Sequence, residues 1–511
     1  MHLHADALCG MVYLNDFPEF ERTAAMKTRW MCLLLAVILL LLPACGSGEK
    51  NTPEVPLESG TPSSVPDAEE TEMEVKRTPY IEPSDYRGAE VHILTPVSTT
   101  TLFLFADEET GESMNDAIFT RTILTEDYLG IHLTYTAECE IVELQGIVAR
   151  SVMAGDDAYQ IVLADCMRGN TALVSDGSLL DLFQVEYIDL SREYWNQSAP
   201  KILTINGKLF FAKSKYVIPS VPVVTFNKHM IEDYGLTSPY EAVRNGTWTL
   251  DEFISGIRKG SFDLNGDGKM TMADQYGLVC MSDWPLDCML YAAGINITLL
   301  NAEGRMELSI LSERTLSLYE KLYNLLNVGD DTFHWAWGTP TEKTITMASD
   351  RALFELRRSN ALHELRGSEI DFGIVPYPKF DETQADYSIN DYSRNVCIPI
   401  TVADPGMVGK TLEMLAYYSD LFVYSTYYDG LLTGKVVRDR ESIEMLEIIS
   451  NSVVFDGGMT YFGLNGGSMQ NIMYFISRNI YVGKGDFVSF YERNENKAKK
   501  EIDEFYDSIG S

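Results

Sequence analysis

Leu250, Phe253, Ile254 and Ile257 recur at i, i+3, i+4 and i+7, which puts apolar side chains on one face of a helix. The start of that helix is encoded just ahead of them. Thr249 stands where it can accept from the N–H of Glu252, and Glu252 where it can reach back, a capping box. Trp248 and Phe253 occupy the positions of a hydrophobic staple, and Gly260 follows the stripe. Elsewhere, short apolar runs predict strands at 91–94, 131–135, 161–164, 208–211, 223–227, 352–356, 372–375 and 396–400. Residues 110–129 and 142–152 read as helices, and 179–182 with Ile188 and Trp195 as loops and short helices. Asp404 and Pro405 form an N-cap and N1 pair for a helix carrying Val408, Leu412 and Leu415. Residues 442–449 continue helical, and Ala498, Ile502, Phe505 and Ile509 make a final stripe. Strands alternating with helices predict an α/β fold.

Composition narrows the class. The chain has 511 residues, 45% of them hydrophobic, enough for two or three domains. Its formal net charge is −35, which argues against nucleic acid, whose binding needs a basic face. Lys27 and Arg29 precede an apolar run from Trp30 to Leu42, then Pro43, Ala44 and Cys45. A charged start, a short apolar segment and a small residue before the cut describe a secretory signal. The run is too short for a comfortable membrane span. Residues 1–25 are read as a mis-assigned leader, 26–44 as the signal peptide and 45–85 as a disordered tether rich in Gly, Ser, Pro, Thr and Glu. Beyond the leader and Cys45 remain Cys139, Cys166, Cys280, Cys288 and Cys397. They are odd in number, without CxxC, and read as small buried hydrophobes.

Residues 263–274, DLNGDGKMTMAD, have the spacing of a calcium loop. Asp263, Asn265 and Asp267 supply oxygens at positions 1, 3 and 5, with Gly268 at the sharp turn. Lys269 offers its carbonyl at position 7, Thr271 stands at position 9 and Asp274 at position 12, where such loops usually carry Glu. A structural calcium ion is expected; an Asx-rich surface turn is the alternative.

Several runs together carry a resemblance. FNKHMIEDYGL (226–236) is followed by GTWTLDEF and by the DxNxDGxxxxxDxYGL run. ETGESMNDAIFTR (109–121), DFGIVPYPKFDETQADY (371–387), ADPGMVGKTLEMLAYYS (403–419) and YYDGLLTGKVVRDRESIEML (427–446) complete the order. The chain resembles extracellular solute-binding lipoproteins of ABC importers, of the family-1-like, type II periplasmic-binding kind common in Gram-positive bacteria. Leu42-Pro43-Ala44-Cys45 resembles their lipobox, with Cys45 as the lipidated residue and Pro43 a departure. The resemblance implies a two-lobed α/β fold, each lobe a mixed sheet flanked by helices, joined by crossover strands. Lobe 1 would hold 86–222 and about 398–450; lobe 2 would hold 223–397 and about 451–511. It implies a monomer on the outer face of the cell membrane, capturing a carbohydrate and passing it to permease subunits.

In open α/β sheets ligands collect beyond the carboxyl ends of strands. That rule selects residues 95–101, Asp165 and Cys166, and Glu355, and the stretch Asp391-Tyr392-Ser393-Arg394 joins them ahead of the second crossover. Sugars need aromatic faces and planar charged groups, which adds Trp195, Trp284, Trp335 and Trp337. The expected ligand-binding set is therefore Asp165, Trp195, Trp284, Trp335, Trp337, Glu355, Tyr392 and Arg394. For each, burial in the core or simple ion pairing is the alternative. There is no HExxH, GxSxG or GxxxxGK[ST] motif, so the reading is not an enzyme. A secreted glycan-active enzyme using paired carboxylates, and an adhesion or scaffold-binding protein, remain the other classes.

Overall fold

The computed structural model describes residues 79–97, 104–336, 339–340, 343–365, 368–433, 439–482 and 486–510, all within one unit of the chain. The expected leader, signal peptide, Cys45 and most of the expected tether lie outside these residues, as does Trp337.

The first sheet is built from β1 (Ala89–Pro96), β2 (Ile131–Cys139) and β3 (Ile161–Ala164). β1 pairs in parallel with β2 from Ala89↔Ile131 and with β3 from Ile93↔Ile161. Parallel neighbours need a crossover, supplied by α1 (Ser113–Leu129) and α2 (Leu144–Ala154). α1 stops at Gly130, whose φ of 62° is left-handed and whose missing Cβ leaves room for Asp85. α3 (Asn170–Ser175) follows β3.

The second sheet contains β4 (Pro222–Asn227), β5 (Tyr276–Met281), β6 (Thr332–Trp335), β7 (Ala352–Arg358) and β8 (Phe372–Val375). Their order is β6-β5-β7-β4-β8. β5 runs parallel to β6 and β7, whereas β4 runs antiparallel to β7 and β8. Helix α4 (Leu250–Lys259) begins where its sequence predicts: Thr249 accepts from the Glu252 N–H at 3.4 Å. Trp248 and Phe253 meet edge-on at 5.6 Å, and Leu250, Phe253, Ile254 and Ile257 are buried. The helix lies directly on β5, because a Cβ at Gly277 would come within 1.8 Å of the Ile257 carbonyl. α5 (Trp284–Ala292) and α6 (Glu313–Asn327) lie between β5 and β6.

The chain then returns to the first sheet. β9 (Asn395–Cys397) pairs antiparallel with β3, giving the order β9-β3-β1-β2. The crossover from the second lobe therefore ends before Asn395, ahead of the expected boundary near 398. The helical remainder is shared between the sheets. α7 (Pro405–Tyr418) and α8 (Ser425–Thr433) pack against α1, and α9 (Arg440–Asn451) against β8. α10 (Gly457–Phe462), α11 (Ser468–Met473), α12 (Phe475–Val482) and α13 (Phe487–Ile509) close the chain. α10 and α13 pack against α3, and α12 against α5 and α6. Residues 451–511, expected with the second lobe, thus touch both. An apolar stripe fixes which helix face is buried, not which sheet it meets.

Candidate ligand-binding site

The carboxyl ends of β3, β5 and β7 meet the two crossover segments, 214–221 and 376–394. Asp165 directly follows β3. Its Oδ1 accepts from the N–H groups of Met167 and Arg168 at 3.0 and 3.1 Å, and its Oδ2 takes Arg394 Nη1 at 2.7 Å. Arg394 is only 4% exposed, so this ion pair is buried. Asn170 and Asn395 both donate to the Asp165 carbonyl, at 3.0 and 3.1 Å, which locks the strand end.

Trp284 opens α5 just after β5, and Tyr392 lies in the second crossover. Their rings are 5.9 Å apart, and the Arg358 guanidinium sits over both at 4.3 Å. The sequence reading offered Trp284 as an aromatic face and Tyr392 by its position; here both rings carry an arginine. Asp283 caps α5 by accepting from the Trp284 N–H at 2.6 Å. Burial pushes the carboxyls of Asp283 and Asp287 above the usual range, Asp287 the further.

The chain bends at Ser393, whose N–H donates to Asp391 Oδ1 at 2.8 Å. Tyr392 and Arg394 face this cluster. Asp391 and Ser393 face a cavity of 230 Å³ lined also by Trp195, Lys213, Ser359 and Tyr427. Lys213 is buried; its ammonium donates to the Ser393 carbonyl and lies 3.8 Å from Asp391. Trp195 lines the cavity but is 2% exposed, and its indole N–H donates to Glu413 Oε1 at 2.7 Å. Glu413 also accepts from Tyr194 Oη at 2.6 Å and the Asp189 N–H at 2.7 Å. Burial nevertheless pushes its carboxyl up to about 7.

Asp165 with Arg394, and Trp284 with Tyr392, are thus brought together as pairs; Trp195 lies on the cavity side. Glu355 and Trp335 stand apart from them. Glu355 lies inside β7 rather than at its end, 3% exposed, held by Arg357 at 3.1 Å and the Met347 N–H at 2.7 Å. Trp335 packs with Phe333 in a small apolar cluster that includes Met270 and Met272. Arg358 and Lys213 are the residues the sequence reading missed. Applying the strand-end rule to the true end of β7 would have found Arg358.

The 263–274 loop links α4 to β5, and its ends are joined by the Phe262↔Gln275 bridge. Asp263 accepts from the N–H groups of Gly266 and Gly268 at 2.7 Å, and buried Asp274 from Leu264 at 3.0 Å and Thr271 at 2.7 Å. Gly268 takes a φ of 77°, as a sharp turn there requires. Among the described residues no three His, Cys, Asp or Glu side chains converge on one point. Here the carboxylates serve the loop's own amides.

No family model and no curated protein matches the sequence. Solved structures do match. One is the lacto-N-biose-bound ABC transporter protein of Bifidobacterium longum, with a TM-score of 0.57 at 10% identity over 83% of this chain and 99% of that one. Another is the cycloalternan-bound ABC substrate-binding protein of Listeria monocytogenes, at 0.53 and 10% over 81% and 99%. A third is a glycerophosphocholine-bound protein of Mycobacterium tuberculosis, at 0.54 and 15% over 81% and 98%. The fold is that of the two-lobed ABC substrate-binding proteins. At such identities the match speaks for the fold alone. Within that fold, the Asp165–Arg394 and Arg358–Trp284–Tyr392 groups sit where the two sheets' strand ends meet the crossovers.

Proposed function

We propose that this chain is the non-enzymatic substrate-binding component of an ABC importer, taking a carbohydrate between its two lobes. The observation that carries this reading is the pair of mixed sheets joined by crossover segments, with charged and aromatic side chains gathered at their junction. The sugar complexes among the structural neighbours support the ligand class. On this reading Cys45 carries a lipid that holds the chain at the outer membrane face. The tether lets the body search, and a separate permease receives the solute. Among the described residues no helix is long and apolar enough to cross a membrane. A ligand that touches both lobes only when they are closed shifts an open–closed equilibrium. The test is an oligosaccharide panel followed by scattering, melting temperature and product analysis. Closure and a raised Tm with intact sugar support the reading. Cleaved product would favour the glycan-active enzyme instead.

We also propose that the 263–274 loop takes a structural calcium ion through Asp263, Asn265, Asp267, the Lys269 carbonyl, Thr271 and Asp274. The alternating oxygens and the joined loop ends support it; the carboxylates would have to turn from the loop amides to the ion. Calcium titrated into metal-free protein should raise Tm, as any ligand of the folded state does. A Tm unmoved by calcium and by chelator would remove the metal.

A further inference from the structure

The chain carries 75 acidic and 40 basic residues, and the basic groups beside the junction are mostly paired. Arg394 has Asp165 at 2.7 Å, Arg357 has Glu355 at 3.1 Å and Lys213 has Asp391 at 3.8 Å. Arg358 forms no ion pair among the described residues. Its guanidinium is held by the faces of Trp284 and Tyr392, each 4.3 Å away. Its Nε is buried without an acceptor, and so is the Nε of Arg394. Leaving a charged donor buried and unbonded is costly, so two such nitrogens beside one junction call for an acceptor.

The nearby carboxyls do not answer that demand. Asp165 serves Arg394, and Asp283 accepts from the Trp284 N–H. Burial raises the Asp283 and Asp287 carboxyls; the Arg358 charge opposes that rise at Asp283, yet the two close no ion pair. Burial pushes the Cys166 thiol at the end of β3 up and Asp165 adds to the rise; Lys213, Arg358 and Arg394 all oppose it, so the three cations lie near one strand end. The two rings meet near-perpendicular at 5.9 Å and the guanidinium sits in the angle between them; its planar fork matches a carboxylate or phosphate oxygen pair. The guanidinium occupies one face of each ring, where a neutral sugar would otherwise stack.

We propose that the solute carries an acidic oxyanion, and that Arg358, supported by Arg394, receives it. This rests on the solute-binding reading above and names the chemical class of the solute. A sugar acid supplies the oxyanion as a carboxylate; a sugar phosphate supplies it as a phosphate ester.

The experiment is calorimetric titration of the full-length protein with two panels. One holds galacturonate, glucuronate and mannuronate di- and trisaccharides, each beside its methyl ester. The other holds hexose phosphates, each beside the free hexose. At least one acid should bind, with its neutral counterpart weaker on the order of tenfold to a hundredfold. Which panel responds identifies the source of the oxyanion. Arg358→Met should erase that difference, and Arg358→Lys should keep part of it, since the charge stays and the fork is lost. Should Arg358→Met not fold, the acid–ester comparison on the unaltered protein still decides. Neutral sugars binding as tightly as acids, or an acid preference that survives Arg358→Met, would overturn the acidic class and leave the solute-binding reading intact. Silence from acids and neutral sugars alike would overturn both.

Discussion

Asp391 and Ser393 point one way from the second crossover, Tyr392 and Arg394 the other, and the polar groups on the two faces are satisfied to different degrees. On the cavity face Lys213 bonds Ser393 and neighbours Asp391. Asp391 in turn accepts from the N–H groups of Ser220 and Ser393 at 3.0 and 2.8 Å. There the polar groups answer one another, as buried polar groups do when they serve the fold. On the opposite face Arg394 is paired, but Arg358 leans on two rings and closes no ion pair among the described residues. The difference separates a polar cluster that holds the crossover from one with capacity left for a guest.

The largest break in that comparison should come from Arg394→Ala, which strands Asp165 in the interior. The expected loss is about 3–5 kcal/mol in denaturant unfolding. A double change, Arg394→Met with Asp165→Asn, should recover most of it, because Asn keeps the Oδ1 acceptor for the Met167 and Arg168 N–H groups while the buried charge is removed.

The next effect is on the cavity face. Burial raises the Glu413 carboxyl from 4.5 to about 7, so the folded state holds its proton more tightly than the unfolded chain. Its stabilisation is complete below about pH 4.5 and is lost as pH rises through about 7, roughly 3 kcal/mol in all. Unfolding measured from pH 4 to 8 should show the fall, and Glu413→Gln should flatten it.

Smaller still is Arg358→Met, expected to cost no more than about 2 kcal/mol of stability, the size of a desolvated cation–π contact. Its effect should lie in binding instead. If it destabilises as much as Arg394→Ala, the contrast between the two arginines is lost. Thr249→Ala, remote from both faces, should cost about 1 kcal/mol through the lost N-cap.

What the sequence could reveal follows the distance over which chemistry is assembled. α4, its cap and its stripe are encoded in adjacent residues, and the helix forms where the pattern puts it. Asp165 and Arg394 were each legible because each flanks an apolar strand, but nothing local says they meet across 229 positions. Glu355 was chosen because the apolar run stops at Leu356, whereas β7 continues through Arg358. The ladder with β4, in which Arg357 and Arg358 pair with Val223 and Pro222, extends the strand past its hydrophobic part. Trp195 reads equally as a platform or as core, and only its bond to Glu413, on a helix far along the chain, ties it to the interior. α5 leaves no stripe to read because nearly all its side chains are buried.

Small-angle scattering, with and without the tightest-binding oligosaccharide of the panels, tests the central claim most directly. Two lobes closing on a solute at the crossover predict a smaller radius of gyration on binding, with the sugar recovered unchanged. A radius that stays constant under saturating sugar would contradict it.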